Sequence, residues 1–428
     1  MIELFFGVAV LLLILGVPIA VTVGFSSIVF IFANGIQPSI IIQRLFTGID
    51  STALMAIPMF ILAGDLMNRG GLARRLVDMA NKMIGNVTGG LALITILACM
   101  FFAAISGSGV ATAAAIGAIL IPSMVNAGYD RPFASAVVAT ASPIGVIIPP
   151  SISFVVYGVL AGVSITDLYK AGIPAGIIVG LCLMVVAYFI SKKRGYKKIK
   201  VIKEVSETME PKKWMLKTFL DPLWALMTPV IIVGGVFSGI FTATESAVVA
   251  VLYSMFVGLF VYKELNWKDL PKIILDAGLG SAKIMFIIAN AMLFAWVMAY
   301  ARIPQLILQK FLEMNMSPFM ILLFINIVLL IAGTFMETSA ILLIAVPIFL
   351  PLIKTIGIDP VHFGIIATVN TAVGLVTPPF GVCLFTTSAI SGVSVWKLSR
   401  AVAPFIVAMI VATLIITYFP QLVMFLVH

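Results

Sequence analysis

Hydroxyls and glycines gather at four places in an otherwise apolar chain: Ser106-Gly107-Ser108-Gly109, Ser142 with Gly145, Gly333 with Thr338 and Ser339, and Asn370-Thr371 with Gly374 and Thr377. Serine, threonine and asparagine oxygens beside carbonyls bared by glycine suit a hard cation such as sodium. Helix N-termini at such breaks present unpaired amides and a partial positive charge, which suit an anionic group. Taken singly, a hydroxyl in an apolar helix bonds back to its own backbone more often than to a ligand. The argument therefore rests on grouping.

The grouping is duplicated. Ser142-Pro-Ile-Gly-Val-Ile-Ile-Pro149-Pro150-Ser returns as Thr371-Ala-Val-Gly-Leu-Val-Thr-Pro378-Pro379-Phe, at a constant offset of 229 residues. Pro122, Gly128 and Asp130 recur at the same offset as Pro351, Gly357 and Asp359, and after a one-residue slip Gly162-Val-Ser164 recurs as Gly392-Val-Ser394. A backbone amide freed in hydrocarbon costs several kcal/mol, so two broken helices at matching positions must line a polar cavity. Paired interruptions in the two halves of a membrane chain mark a transporter's binding site.

Composition places the whole chain in the bilayer. Of its 428 residues 62% are hydrophobic and 10% charged, and the mean hydropathy is +1.21, which excludes a soluble enzyme domain. The first 33 residues lack a basic leader and a small-residue cleavage site, so they read as membrane spans and not as a removed signal peptide. Cys99, Cys182 and Cys383 stand singly in apolar runs and read as packing residues.

Spans are expected near 2–16, 18–33, 51–67, 133–160 and 169–191, and again near 219–238, 242–262, 280–300, 362–390 and 401–427. Between the third and fourth of each set lies a run too long for one helix, 89–125 and 318–353, with Ser106 to Gly109 or Gly333 to Ser339 at its centre. Each reads as a re-entrant helical hairpin with its tip inside the protein, since exposed irregular backbone is not tolerated in lipid. The segments Arg69 to Lys82 and Arg302 to Lys310 read as amphipathic surface helices. The expected fold class is an all-α integral membrane protein of two repeats, 1–191 and 219–428, joined by a basic linker, 192–218. Each repeat holds one hairpin and one discontinuous helix, at 133–160 and 362–390.

Ten of the 26 basic residues lie between Lys192 and Lys217. If that linker is cytoplasmic, alternating the spans outward leaves only Arg44, Lys170, Arg302, Lys310 and Lys354 on the opposite face and Lys283 within a span, as the positive-inside bias requires. The first surface helix then lies inside and its counterpart outside, so the repeats are inverted and both termini are periplasmic. Trp214, Trp224, Trp267 and Trp396 fall near the inner face, as an aromatic belt would.

Other chemistries fail on missing parts. Ser108 between glycines lacks a base, because the only histidines are His362, in an outer loop, and His428. No H-E-x-x-H motif, paired intramembrane aspartate arrangement or phosphate-binding loop is present, which argues against an intramembrane enzyme and against ATP as the energy source. Two occluding hairpins favour alternating access over an open channel. Glu337 is a costly group at the second tip; it is left as a cation ligand, a proton relay or a helix cap. Asp65 and Glu245, near span ends, are expected to snorkel or pair with neighbours. No basic residue lies near either broken helix, so an anion must be held by amides, hydroxyls and helix dipoles.

Ile57-Pro-Met-Phe-Ile-Leu-Ala-Gly64-Asp-Leu-Met-Asn-Arg69-Gly-Gly, Phe101-Phe-Ala-Ala-Ile-Ser-Gly-Ser-Gly-Val-Ala-Thr112, Ile147-Ile-Pro-Pro-Ser-Ile152 and Gly239-Ile-Phe-Thr-Ala-Thr-Glu245 together resemble the large membrane subunit of tripartite ATP-independent periplasmic (TRAP) transporters, nearly end to end. The resemblance implies a sodium-driven elevator that imports a carboxylate such as sialic acid or a C4-dicarboxylate across a bacterial inner membrane. It needs no cofactor beyond sodium as coupling ion, and it works with a small four-helix membrane subunit on a separate polypeptide and a soluble periplasmic binding protein. It places substrate near Ser106, Gly107, Ser108, Gly145, Pro149, Pro150, Thr377 and Pro378. It places sodium near Ser106, Gly107, Ser142, Gly145, Gly333, Thr338, Ser339, Asn370, Thr371, Gly374 and Thr377. The second tip departs from the Ser-Gly-Ser-Gly pattern, which leaves the ligands there open. The alternative is a stand-alone sodium/carboxylate symporter of the same fold.

The inverted arrangement has a direct test. Single cysteines at Arg74 and Arg302 should be labelled by an impermeant reagent from opposite faces of the membrane; labelling from one face would defeat the inversion.

Overall fold

The computed structural model describes residues 2–84, 87–196, 211–314 and 316–427, in which every regular element is helical. The basic stretch 197–210, within the linker, and the side chain of Trp214 lie outside the described residues. Among those described, six helices are long and apolar enough to cross a membrane, or seven if one bent pair is counted as a span.

The first hairpin is Gly90–Ser106 followed by Gly109–Asn126, and the second is Pro318–Gly333 followed by Thr338–Thr355. At 1.5 Å per residue, first arms of 17 and 16 residues fall short of the ~30 Å hydrocarbon thickness, so they enter and turn back. The discontinuous helices are Arg131–Ala141 and Ile152–Ala161 in one repeat, Pro360–Gly374 and Val382–Ser391 in the other. Each half is too short to cross alone. The first break opens with a 3-10 turn at Ser142–Val146, and both proline pairs, Pro149-Pro150 and Pro378-Pro379, carry a cis bond.

Side-chain contacts sort the loops into two ends. At one end Arg75 pairs with Glu264 at 2.7 Å, Arg69 with Asp276 at 2.7 Å and Arg194 with Asp130 at 2.7 Å, while Arg131 donates to the Ser391 carbonyl at 3.3 Å. At the other end the Arg44 guanidinium lies 5.7 Å over the Trp296 ring, Thr244 donates to the Thr52 carbonyl at 2.9 Å and the Tyr157 hydroxyl donates to the Pro360 carbonyl. Ala56–Arg69 therefore runs from the second end to the first, and its counterpart Leu270–Tyr300 runs the opposite way. The surface helices Leu72–Ile84 and Ile303–Glu313 sit at opposite ends. The repeats are inverted.

Contacts are exchanged between the repeats. Gly109–Asn126 packs on Val382–Ser391, and reciprocally Thr338–Thr355 packs on Ile152–Ala161. Ile165–Lys193 packs on Pro360–Gly374, and Val395–Tyr418 on Arg131–Ala141. Further out, Ile19–Ala33 packs on Leu270–Tyr300 and Ala243–Phe256 on Ala56–Arg69. Lipid gives helices no hydrophobic reason to associate, so close approach at small residues carries this packing. Gly24 is one such place, where a Cβ would lie 1.9 Å from Asn290 Oδ1.

Several boundaries depart from the sequence reading: Pro211–Phe237 starts before the expected 219, and Val395–Tyr418 starts before the expected 401 and ends before the expected 427. The span expected at 51–67 is preceded by a helix, Ser39–Ile49, bent 59° from Thr52–Arg69. Gln43, Arg44 and Thr47 make that helix too polar to read as a span, yet it packs its other face on Leu270–Tyr300. Leu270–Tyr300 itself starts ten residues before the expected 280, led by Pro271 in its first turn, where Lys272 and Asp276 stand at the charged end. Glu245 completes a capping box with Thr242, accepting from its amide at 2.8 Å, so it caps its helix.

The first break depends on Gly172 of Ile165–Lys193, where a methyl would lie 2.8 Å from the Ile147 carbonyl oxygen and 2.4 Å from Phe154 Cε2. Gly172→Ala should destabilise the protein by about 1–3 kcal/mol. A lowered melting temperature in detergent is the expected result; unchanged melting would show that the break does not lean on this contact.

Candidate functional site

Each hairpin tip is seated on the broken helix of its own repeat. At the first, a Cβ on Gly107 would lie 2.6 Å from the Pro150 carbonyl oxygen, one on Gly109 3.4 Å from the Ser142 carbonyl, and one on Gly145 2.6 Å from the Ser108 carbonyl. Gly107 turns the chain with φ 60°, a left-handed value glycine adopts without strain. Ser106, Gly107, Ser108, Ser142, Gly145 and Pro150 thus come together, and nearly all of this region is buried. The structure adds Thr112, which is not among the residues expected at the site. Its hydroxyl lies 2.9 Å from Ser106 Oγ and donates to the Ser108 carbonyl at 2.8 Å. Its signal was helical spacing, one turn beyond Ser108. Pro149, in the same buried break, precedes the cis bond to Pro150 and has no amide to satisfy.

At the second tip Gly333 meets Gly374 backbone to backbone: a Cβ on Gly374 would lie 2.3 Å from Gly333 Cα, and one on Gly333 3.3 Å from the Thr371 carbonyl oxygen. Thr338 and Ser339 are buried on the return arm, and Asn370 and Thr371 on the broken helix. Thr377 and Pro378 are half-buried, and the chain opens outward through exposed Pro379 and Phe380. The two half-sites differ in access.

The hydroxyls most exposed to the back-bonding alternative do back-bond. Ser142 donates to the Ala139 carbonyl at 3.0 Å, Thr371 to Ala367 at 2.9 Å and Thr377 to Val373 at 2.8 Å. Their protons are committed, but each oxygen keeps a lone pair free for a cation. Thr338 Oγ1 and Asn370 Oδ1 are buried and have no hydrogen-bond partner.

The tips also show what Ser108 and Glu337 do. The two residues stand at the 229-residue offset, and both cap the return helix. Ser108 accepts from the Ala111 amide at 3.4 Å, while the Glu337 carboxylate accepts from the Ser339 amide at 3.2 Å and the Ser339 hydroxyl at 3.3 Å. Four helices begin at the tips and breaks, at Gly109, Ile152, Thr338 and Val382. Their N-termini supply the partial positive charge that the absent arginines do not.

A family model for the DctM component of tripartite ATP-independent periplasmic transporters matches residues 6–422. The chain belongs to this family. It is 45% identical over 377 residues to the C4-dicarboxylate TRAP transporter large permease protein DctM of Pseudomonas aeruginosa, covering 88% of this chain and 86% of that one. It is 45% identical over 425 residues to the isethionate TRAP transporter permease protein DctMQ of Oleidesulfovibrio alaskensis, of which it spans 65% of the length. The sialic acid TRAP transporter large permease protein SiaM of Vibrio cholerae is 36% identical over 416 residues, with 97% and 96% of the two chains covered. Among solved structures, the YdaH transporter of Alcanivorax borkumensis superposes with a TM-score of 0.64 over 89% of this chain and 87% of that one, at 14% identity, a likeness of fold. The TRAP large permease is a multi-pass membrane component of a tripartite system that moves solutes, and it is no enzyme.

The tight seating of tip on break is testable. Gly145→Ala and Gly374→Ala should each lower solute uptake by about 100-fold at normal membrane levels, because a misplacement near 1 Å at a reacting or binding centre costs this much. Gly278→Ala, where a Cβ meets nothing within 4 Å, should be silent; wild-type uptake by either tip variant would refute the seating.

Proposed function

We propose that this permease imports a small organic anion, sialic acid or a C4-dicarboxylate, into bacterial cytoplasm by sodium symport. The solute is handed over by a periplasmic binding protein, and a small four-helix membrane subunit completes the complex. The observation that carries this reading is the meeting, in inverted copies, of a hairpin tip with a helix break. Together they offer hydroxyl, amide and carbonyl oxygens to a cation and helix N-termini to an anion.

Sodium at Ser106, Gly107, Ser142 and Gly145 in one half-site, and at Gly333, Thr338, Ser339, Asn370, Thr371, Gly374 and Thr377 in the other, draws together groups that otherwise repel or lack partners. Filled in this way, the tips become the positive floor on which a carboxylate binds, beside Ser106, Gly107, Ser108, Gly145, Pro149, Pro150, Thr377 and Pro378. Coupling follows, because an anion meets an unfavourable field of oxygens until the cations arrive. The hairpins and broken helices then travel together as an elevator against the outer helices, such as Ile19–Ala33 and Leu270–Tyr300. The more open second half-site supports this, since one half-site must be reached while the other is closed. The linker is cytoplasmic and both ends periplasmic in this reading. Relatives named for C4-dicarboxylate, isethionate and sialic acid support an organic acid as cargo.

In proteoliposomes holding the permease and its membrane partner, uptake should require both a sodium gradient and the loaded binding protein. Uptake indifferent to the binding protein would favour the stand-alone symporter. Ser106→Ala and Thr338→Ala should each raise the sodium concentration for half-maximal uptake by about tenfold, and unchanged sodium dependence would count against these ligands.

A further inference from the structure

The second half-site contains a chain of side-chain hydrogen bonds that its first-repeat counterpart lacks. Asn326, on the first arm of the second hairpin, is 5% exposed and donates its Nδ2 to the Leu322 carbonyl at 2.9 Å and to Thr417 Oγ1 at 3.2 Å. The Thr417 hydroxyl in turn donates to the Thr413 carbonyl at 2.7 Å, so it meets Asn326 only as an acceptor. Asn370 then donates its own Nδ2 twice to Asn326, to the backbone oxygen at 3.0 Å and to Oδ1 at 2.6 Å.

These bonds fix the orientation of both amides. Turning the Asn370 amide over would set its Oδ1 against two acceptor oxygens of Asn326, and turning Asn326 over would set its Oδ1 against the Leu322 carbonyl. With both its amide hydrogens committed, Asn370 keeps a single free group, Oδ1, which is buried and has no partner. Among the described residues the other buried side-chain atoms without a partner are all hydroxyls, which can turn to donate or accept. Asn370 Oδ1 can only accept.

The geometry points to Asn326 as a positioning residue: it holds the Asn370 amide so that a bare carbonyl oxygen faces the second half-site as a cation ligand, with Thr417 of the last long helix fixing Asn326 in turn. The inference rests on the sodium reading above and extends it to residues that touch no ion. It also makes the two half-sites unequal. At the 229-residue offset Asn326 is replaced by Leu97 and Asn370 by Ala141, so the first half-site has neither the amide ligand nor its holder.

The test is thermal melting of the purified full-length protein, titrated with NaCl against KCl at constant ionic strength. Wild-type protein should melt higher in sodium than in potassium. Asn326→Leu, which installs the first repeat's residue, should raise the apparent sodium Kd by about tenfold or more, as loss of a group that orients a metal ligand does. Asn370→Ala should do the same, and the double variant should be no worse than Asn370→Ala alone, because Asn326 acts only through Asn370. If Asn326→Leu does not fold, the near-isosteric Thr417→Val carries the test, with a rise of about two- to threefold. A variant that titrates like wild type, or a double variant with additive losses, overturns the positioning role. Absence of any sodium-specific shift in wild-type protein would instead overturn the sodium reading itself.

Discussion

The structure depends on one constraint, that hydrocarbon offers no partner to a peptide group. A helix meets it by bonding to itself, so every interruption must be enclosed and stitched by the protein. The first break is stitched by the Ile148 amide to the Ile144 carbonyl at 2.9 Å and by the Ser151 hydroxyl to the Val146 carbonyl at 2.6 Å. The second is closed by Cys383 N to the Leu375 carbonyl at 2.9 Å and Gly381 N to Thr377 at 3.2 Å. What cannot be stitched locally is covered by a hairpin tip, and glycines at 107, 145, 333 and 374 let the two backbones touch.

Inversion turns that local solution into a device with two ends. The same folding rule applied to both copies sends one hairpin in from each face, and the exchanged packing of return arms onto the other repeat's broken helix locks the copies together. Yet the copies have diverged in chemistry. Ser108 and Glu337 cap equivalent helices with a neutral and an acidic group, and Ser151, which caps Ile152–Ala161 through the Phe154 amide, is replaced by exposed Phe380. Ile152–Ala161 is enclosed, while Val382–Ser391 leaves Val382 and Phe385 exposed along one face. The proposed alternating access requires such inequality, because two half-sites open alike would leave a path through the membrane.

Much of the architecture was legible because bilayer chemistry is written in long, coarse signals. The 229-residue repeat, the two proline pairs and the Ser106 to Gly109 turn mark the hairpins and breaks in the sequence itself. Arginine and lysine placement set the expected orientation of the two ends, and Arg69, Arg75 and Arg194 each pair with an acidic residue far along the chain. The helix Ser39–Ile49 was not legible, since a short amphipathic segment carries no span signal. Asn326 was equally silent: a single amide in an apolar arm says nothing of where it points.

The sequence by itself determined the membrane class, the duplication, its inversion and the four polar clusters, because hydrophobicity, charge and glycine or proline breaks act through the nearest residues or through the bilayer as a whole. Only the tertiary structure decided which clusters touch: that Gly333 lies on Gly374, that Thr112 joins Ser106, and that Asn370 is left with one bare oxygen. Those facts depend on distances of a few ångströms between residues far apart in the chain, where a hydrogen bond is made or lost.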